Sequence, residues 1–343
     1  MEKEVISQKQ AIIIMSTFII GSSAILGAGS KAKQDVWIAV ILSMVMASLI
    51  IFVYARISKI FPGKDIFSIL DILFGKVFGK IISLIFLSYV FRLTALVLRD
   101  FTEFVRTVSL PETPACIFSF SAIITVIWIV RSGIELLGRF VAVFFPVYIF
   151  MIIIVTFLSI PLFEFSNLKP ILYDGLQPVL NTSFSLFTFP FAETVVFLCL
   201  MGNLKKNNSS VYKAYYISCL FGGIVILIIS VRSVLILGVP NTLIQNFASY
   251  ASARLIRIGS FLQRIEATVG IVFMISGLTK CTVCMYTATK GLAHLFNIKD
   301  YRKLSYPVGI LVALYSIIVH GDAAELIEWA TKIAENNKYT YGT

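Results

Sequence analysis

Charged residues are scarce in this sequence, which is 14% charged and 58% hydrophobic over its 343 residues. A soluble domain carries about a quarter charged residues, so the composition excludes an ordinary soluble globular protein. A mean hydropathy of +0.91 points the same way. We therefore predict an all-α polytopic membrane protein that forms a single integral membrane domain over residues 1–343.

Histidine and cysteine are also rare, with two and five residues respectively. The Cys281-x-x-Cys284 pair has a spacing used in redox and metal sites. It lacks a second pair and a nearby histidine, so a packing role is predicted for it. The sequence contains no metal-ligand spacing and no intramembrane set of nucleophile and base. It therefore predicts neither a cofactor nor an enzyme.

Acidic residues are outnumbered, with 18 Asp and Glu against 29 Lys and Arg. The basic residues concentrate in alternate loops, and 17 of them fall in segments 1–10, 56–80, 131–139, 203–213 and 280–304. Cytoplasmic loops of membrane proteins are enriched in Lys and Arg, so this pattern predicts a cytoplasmic N-terminus. The positive charge is thus a topology signal, and nucleic-acid binding is not predicted.

Hydrophobic runs divide the chain into nine predicted spans. Each is about as long as a helix that crosses ~30 Å of hydrocarbon, and the last is marginal. The spans are 11–29, 36–55, 81–101, 115–131, 139–162, 184–202, 214–238, 264–290 and 305–320.

Two of these spans are predicted to be interrupted. Gly21, Ser22 and the glycines up to Gly29 break the first, and Pro190 breaks the sixth close to an intramembrane carboxyl, Glu193. Interrupted helices at equivalent positions of two halves are typical of inverted-repeat transporters, which bind their substrate near the midplane. We therefore predict a first repeat over 6–162 and a second over 184–320.

Other polar residues inside the spans leave alternatives open. Arg92 takes a functional intramembrane role, extends to a headgroup or pairs with Glu103. Glu266 marks the outer end of the eighth span. Thr282 and Tyr286 stand four residues apart on one helix face. They either line a cavity or make helix–helix hydrogen bonds.

A series of short motifs, taken in order, resembles one known protein family. In order they are ISQKQ, GSSAILGAGSKAKQDVW, ARISKIFPGKD, RDFTEFV, LPETP, GIELLGR, NLKPILYDGLQPVL, FPFAE and QRIEA. Together, from Ile6 to about Trp329, the chain resembles the spore germination permease family. These are the B subunits of spore germinant receptors, within the amino acid–polyamine–organocation superfamily.

The resemblance implies a LeuT-like fold of five plus five helices with helices 1 and 6 broken. It also implies residence in the inner membrane of an endospore, and partnership with an A subunit and a C-subunit lipoprotein. The B subunit would bind a small nutrient germinant, commonly an amino acid, and so trigger germination. The superfamily's site, carried over by position, maps onto Gly21, Ser22, Tyr89, Leu93, Pro190, Phe191, Thr282 and Tyr286. The freed backbone amides would hold a carboxylate there.

The chain departs from the family pattern after its ninth span. Residues 321–343 are predicted to form a short amphipathic helix and a polar tail in place of a tenth helix, which suggests a truncated chain. Three other functions compete with the receptor hypothesis. The chain could be an amino acid transporter, a membrane enzyme, for which no constellation is found, or a nonfunctional remnant.

Overall fold

A computed structural model of the chain describes residues 4–27, 29–205, 210–256 and 265–319. The predicted amphipathic segment and tail, 321–343, lie outside the described residues. Eleven α-helices are found within the described residues: α1 Gln8–Ile20, α2 Val36–Ile60, α3 Ile66–Val108, α4 Ala115–Ser132, α5 Ile134–Ser159, α6 Leu176–Leu186, α7 Phe197–Leu200, α8 Val211–Ile244, α9 Ala248–Arg254, α10 Glu266–Leu295 and α11 Ser305–Ile318.

The prediction of an all-α membrane fold is confirmed. In the part of the chain that the structure describes, seven helical segments are long and apolar enough to cross a membrane, and Gln8–Ile20 is a shorter apolar helix. All nine predicted spans correspond to helical segments. The two interrupted ones are divided, the first at the end of α1 and the sixth between α6 and α7. The division into repeats over 6–162 and 184–320 stays a prediction.

Local sequence determines where several of these helices begin. Ser7 accepts a hydrogen bond from the backbone of Gln10, whose side chain bonds back to the Ser7 amide, and this capping box starts α1. Asp65 and Ser210 cap α3 and α8, since a side-chain oxygen of each accepts a hydrogen bond from the backbone amide of the third residue of its helix. Gly75 has a left-handed φ of 76°, so α3 changes direction there before it enters its apolar part.

The long helix α10 lies at the centre of the molecule. It packs against α1, α3, α4, α5 and α11, while α2 packs against α6 and α8. The outer helices instead present large apolar side chains outward, such as Leu49, Val77 and Val143. Such residues would destabilise a protein surrounded by water but suit one surrounded by lipid. The central position of α10 places its polar residues beside both interrupted helices.

Candidate functional site

The first helix break lies directly after α1. Gly21 has φ +24° and ψ −128°, a conformation that ends α1, and a short 3-10 turn, Ser22–Ala24, follows it. Gly27 and Gly29 also have positive φ angles, of 60° and 86°. Glycine reaches these angles without the clash that a Cβ would cause. The chain therefore crosses the protein interior here without a continuous helix.

The second break lies between α6 and α7. The five residues Phe187–Phe191 form a π-helical turn in which Phe189 is extended, and a 3-10 turn, Ala192–Val196, follows. Pro190 cannot donate a backbone hydrogen bond, so a regular helix cannot pass through this point. The hydroxyl of Tyr54, on α2, donates to the Ala192 carbonyl at 3.2 Å and satisfies one freed acceptor.

A buried ion pair joins the two breaks. The Lys280 ammonium, from the middle of α10, lies 2.5 Å from a carboxylate oxygen of Glu193 in the second break. Lys280 is fully buried, and its Cδ would lie only 2.8 Å from a Cβ added to Gly21. Two aromatic rings flank the ammonium, with the centroids of Phe189 and Phe18 at 4.3 and 5.1 Å. The charge on Lys280 is therefore held against both interrupted segments.

A second carboxyl lies next to this pair. Asp100, on α3, is buried beside Ser22 and is close enough to Lys280 and Glu193 to interact with both electrostatically. The centre thus has two carboxyl groups and one ammonium in a space closed to solvent. Burying charge is costly unless it is paired. This cluster is the strongest candidate for a functional site among the described residues.

Several hydroxyl groups around the first break lack hydrogen-bond partners among the described residues. They belong to Ser16 and Thr17, at the end of α1, and to Ser23, in the turn that follows. Buried polar groups are nearly always hydrogen-bonded in folded proteins. These hydroxyls are therefore buried, unsatisfied hydrogen-bonding groups at the first break, which a water molecule or a small ligand there would satisfy.

The structure brings together only some of the residues predicted for the site. Gly21, Ser22, Pro190 and Phe191 lie at the two breaks, and all four are buried. Leu93 is buried on α3, seven residues before Asp100. The binding role of each of these residues stays a prediction.

Tyr89 and Arg92 instead line a groove between α3, α10 and α11. The groove has a volume of about 730 Å³, and most of its other lining side chains are apolar. Tyr89 is 42% exposed, yet it is close enough to Glu193 to interact with it electrostatically. It therefore stands between the charged centre and the outer surface of the helix bundle.

Thr282, Tyr286 and Glu266 lie along α10 at different depths. The Thr282 hydroxyl donates to the Leu278 carbonyl of its own helix at 2.7 Å. The Tyr286 hydroxyl lies 3.3 Å from a carboxylate oxygen of Glu4, near the start of the chain. Glu266 begins α10 at its other end. Of these three, only Thr282 is within one helical turn of Lys280.

Two residues of the charged centre were not among the predicted site residues, namely Lys280 and Asp100. A sequence signal for them exists, because a charged residue within a membrane span is costly and is usually functional. The neighbouring Cys281-x-x-Cys284 pair, considered above for its spacing, is buried and does not form a disulfide. What the sequence does not contain is the pairing of Lys280 with Glu193, 87 residues away.

A second polar cluster holds the start of the chain against the helix bundle. One Glu4 oxygen accepts from the Tyr301 hydroxyl at 2.7 Å and from the Arg302 guanidinium at 2.8 Å. The other accepts from the Ile134 amide at 3.3 Å. Next along the chain, Ile6 exchanges backbone hydrogen bonds with the segment after α7, through Asn203 O and Lys205 N. The N-terminal segment is thus tied to three separate parts of the fold.

The Glu4 carboxyl is charged at neutral pH. Burial tends to raise its pKa, but hydrogen bonds from Tyr301, Arg302 and Ile134 outweigh that effect, and the pKa lies below its usual value of 4.5. The same contact with Glu4 raises the pKa of the Arg302 guanidinium. Since the folded-state pKa of Glu4 is lowered, its stabilising contribution is present above the usual pKa. It is lost as the pH falls through the lowered value.

Glu4→Gln is expected to lower the free energy of unfolding by about 1–3 kcal/mol at neutral pH, because Arg302 loses its charged partner. The difference from wild type should shrink in acid, where the wild-type carboxyl is protonated. Denaturant titration of the purified protein in mixed micelles measures both effects. Glu112→Gln, at an exposed acid in the turn after α3, is the matched control. Equal stability of Glu4→Gln and wild type at neutral pH would contradict the role of this cluster.

Comparison with known proteins places the chain in a family. The family model described as "Spore germination protein" matches residues 5–322. The chain belongs to this family. Its relatives include Spore germination protein KB of Bacillus subtilis (strain 168), 29% identical over 95% of this chain and 88% of that protein. Spore germination protein A2 of the same strain is 27% identical over 91% of this chain and 88% of that protein. The resemblance inferred from the motifs is confirmed.

The fold of this family member matches that of a solved transporter. Mhp1, a nucleobase-cation-symport-1 family transporter in a closed conformation with bromovinylhydantoin bound, aligns with a TM-score of 0.61. The match covers 91% of this chain and 72% of that one, at 14% sequence identity. At this identity the similarity shows the fold alone. The predicted LeuT-like fold with interrupted helices is confirmed.

Proposed function

We propose that this integral membrane protein is the germinant-sensing subunit of a spore nutrient receptor, and that it binds a small nutrient between its two interrupted helices. The observation that carries the proposal is the meeting of both breaks at the buried Lys280–Glu193 pair. A ligand that enters here contacts α1, α3, the second break and α10 at once. Binding can then change how these segments pack, which a receptor subunit needs in order to report occupancy.

An amino acid suits the charges of this centre. Its carboxylate would pair with the Lys280 ammonium and with backbone amides freed at the breaks, and its ammonium would pair with Glu193 or Asp100. The zwitterion would replace the internal ion pair by two new ones, so no buried charge is left unpaired. Leu93 and Phe191 would limit the size of the side chain. Thr282 lies near enough along α10 to contact its polar edge.

The family relationship supports the wider setting of the proposal. The curated relatives are spore germination proteins. We propose the inner membrane of the spore as the location of the chain, as membership of this family implies. The distribution of basic residues supports a cytoplasmic N-terminus for the chain. Its partners would be an A subunit and a C-subunit lipoprotein of the receptor.

Binding and germination assays test this proposal together. Purified protein in nanodiscs should bind at least one amino acid from a labelled panel, in competition with its unlabelled form. Spores that lack the gene should lose their response to that same amino acid and recover it with the wild-type chain. Unchanged germination of the deletion strain across amino acids and sugars, with the protein present in wild-type spores, would reject the receptor role.

A transporter is the second candidate, and the fold it shares with Mhp1 favours it. Both functions require the same central site. Proteoliposomes that contain only this chain distinguish them, since a transporter accumulates the labelled amino acid inside the vesicles. A receptor subunit binds it without accumulation.

A further inference from the structure

A second buried cation lies away from the charged centre. Arg232, on α8, is 3% exposed, and its Nη2 donates to the hydroxyl of Ser249 at 2.8 Å and to the Ser249 carbonyl at 3.2 Å. The Arg232 Nε is buried and has no hydrogen-bond partner among the described residues. None of the ion pairs within the described part of the chain includes Arg232. A guanidinium stays charged in proteins, so its burial calls for a counter-charge.

A small cavity lies against this guanidinium. Its volume is about 10 Å³, and residues of four helices line it. Apart from Arg232 and Ser249, its lining side chains are all apolar: Met151, Ile152, Val155, Ile229, Val269 and Val272. A cavity of this size holds about one water-sized particle.

The polar groups of the cavity can donate hydrogen bonds but hardly accept them. Arg232 has donors only. Ser249 already accepts from Arg232 at its hydroxyl oxygen, which leaves its own proton free to donate. A water molecule here would leave its two O–H groups among alkyl carbons, and an ordered buried water needs two to four polar partners. A monatomic anion only accepts, and it supplies the missing charge.

We propose that Arg232 and Ser249 form a binding site for a small monovalent anion such as chloride. The anion accepts from the Arg232 Nε and from the Ser249 hydroxyl, and it neutralises the buried guanidinium. It fixes α9 against α8, with α5 and α10 closing the cavity around it. This site is separate from the proposed nutrient site and does not depend on the identity of the nutrient.

The anion would also support the first helix break from outside. A Cβ on Gly27 would lie 3.1 Å from the Cβ of Ala248, so α9 packs directly against the far part of that break. On its near side, Ile20 packs in one apolar cluster with Ile152, Ile229 and Val272, which also line the cavity. The anion thus stabilises the layer of side chains on which the end of α1 rests.

Thermal unfolding of the full chain in nanodiscs tests the site. The unfolding midpoint should be higher in sodium chloride than in sodium gluconate at equal ionic strength. It should rise steadily with chloride concentration, as for any ligand that binds only the folded state. Bromide should act like chloride. Equal midpoints in chloride and gluconate would overturn the proposal.

Variants assign the effect to the cavity. Arg232→Gln should lose the chloride dependence, while Arg139→Gln, at a surface arginine with a 74% exposed side chain, should keep it. Ser249→Ala retains the guanidinium and should weaken chloride binding even if Arg232→Gln fails to fold. Equilibrium dialysis with radiolabelled chloride should give one bound ion per wild-type chain. No bound chloride would overturn the proposal, and full chloride dependence in Arg232→Gln would overturn it as well, because chloride would then act elsewhere on the protein.

Discussion

Lys280→Met is expected to abolish the germination response and to lower the free energy of unfolding by about 3–5 kcal/mol. The Lys280 ammonium is fully buried and lies 2.5 Å from Glu193, with Asp100 nearby. Methionine matches the length of most of the lysine side chain but leaves both carboxyl groups without a cation. Removal of one partner of a buried pair costs about this much because it leaves an uncompensated charge.

The double variant Glu193→Gln with Lys280→Met separates stability from function. It removes both charges of the pair, and neutral replacement of a buried pair is often tolerated. We expect it to recover most of the lost stability, measured by denaturant titration, and to remain unresponsive to nutrient. Lys290→Met is the matched control, since Lys290 lies on the same helix and donates to Asn203. Normal germination by Lys280→Met spores at normal protein level would rule out a role for the pair.

Much of the fold could be predicted from the sequence, because the bilayer imposes a simple rule on it. Each span must be long and apolar, so hydropathy locates the helices. Breaks within spans are equally visible, since Gly21 and Pro190 are residues that a continuous helix does not favour. Both breaks lie where these residues place them.

The centre between the breaks was harder to predict. Local sequence shows that Glu193 and Lys280 lie within spans but not that they pair, because the pairing depends on how α10 packs against the second break. Tyr286 illustrates the opposite error that spacing invites. It shares a helix face with Thr282, yet one more turn along α10 carries its hydroxyl to Glu4. Residue spacing shows which side of a helix a residue lies on. It does not show which other segments that residue contacts, because those contacts depend on the tertiary packing.

Gly21→Ala is expected to disrupt the site through a single added carbon. A Cβ at this position would lie 2.6 Å from the Phe18 carbonyl oxygen and 2.8 Å from the Lys280 Cδ, both closer than real contacts allow. Its φ of +24° is also one that residues with a Cβ rarely adopt, at a cost of about 1–3 kcal/mol. Because the carbonyl cannot move easily, we expect Lys280 to be displaced from Glu193.

Two other glycines separate the causes of this effect. Gly75 has φ +76° and open space around its missing Cβ, so Gly75→Ala measures backbone strain alone. Gly277 lies on α10 with its nearest neighbours at 3.8 Å, so Gly277→Ala introduces neither strain nor a clash.

Nutrient binding and unfolding stability, measured for the three variants in nanodiscs, should both fall furthest for Gly21→Ala. Gly75→Ala should lose stability but keep its affinity for nutrient, and Gly277→Ala should match wild type in both. If Gly21→Ala lost only as much as Gly75→Ala and bound nutrient normally, the contact between the first break and Lys280 would not be part of the binding site. Loss of affinity confined to Gly21→Ala would instead place the cause at the first break and its contact with Lys280, since neither control changes that contact.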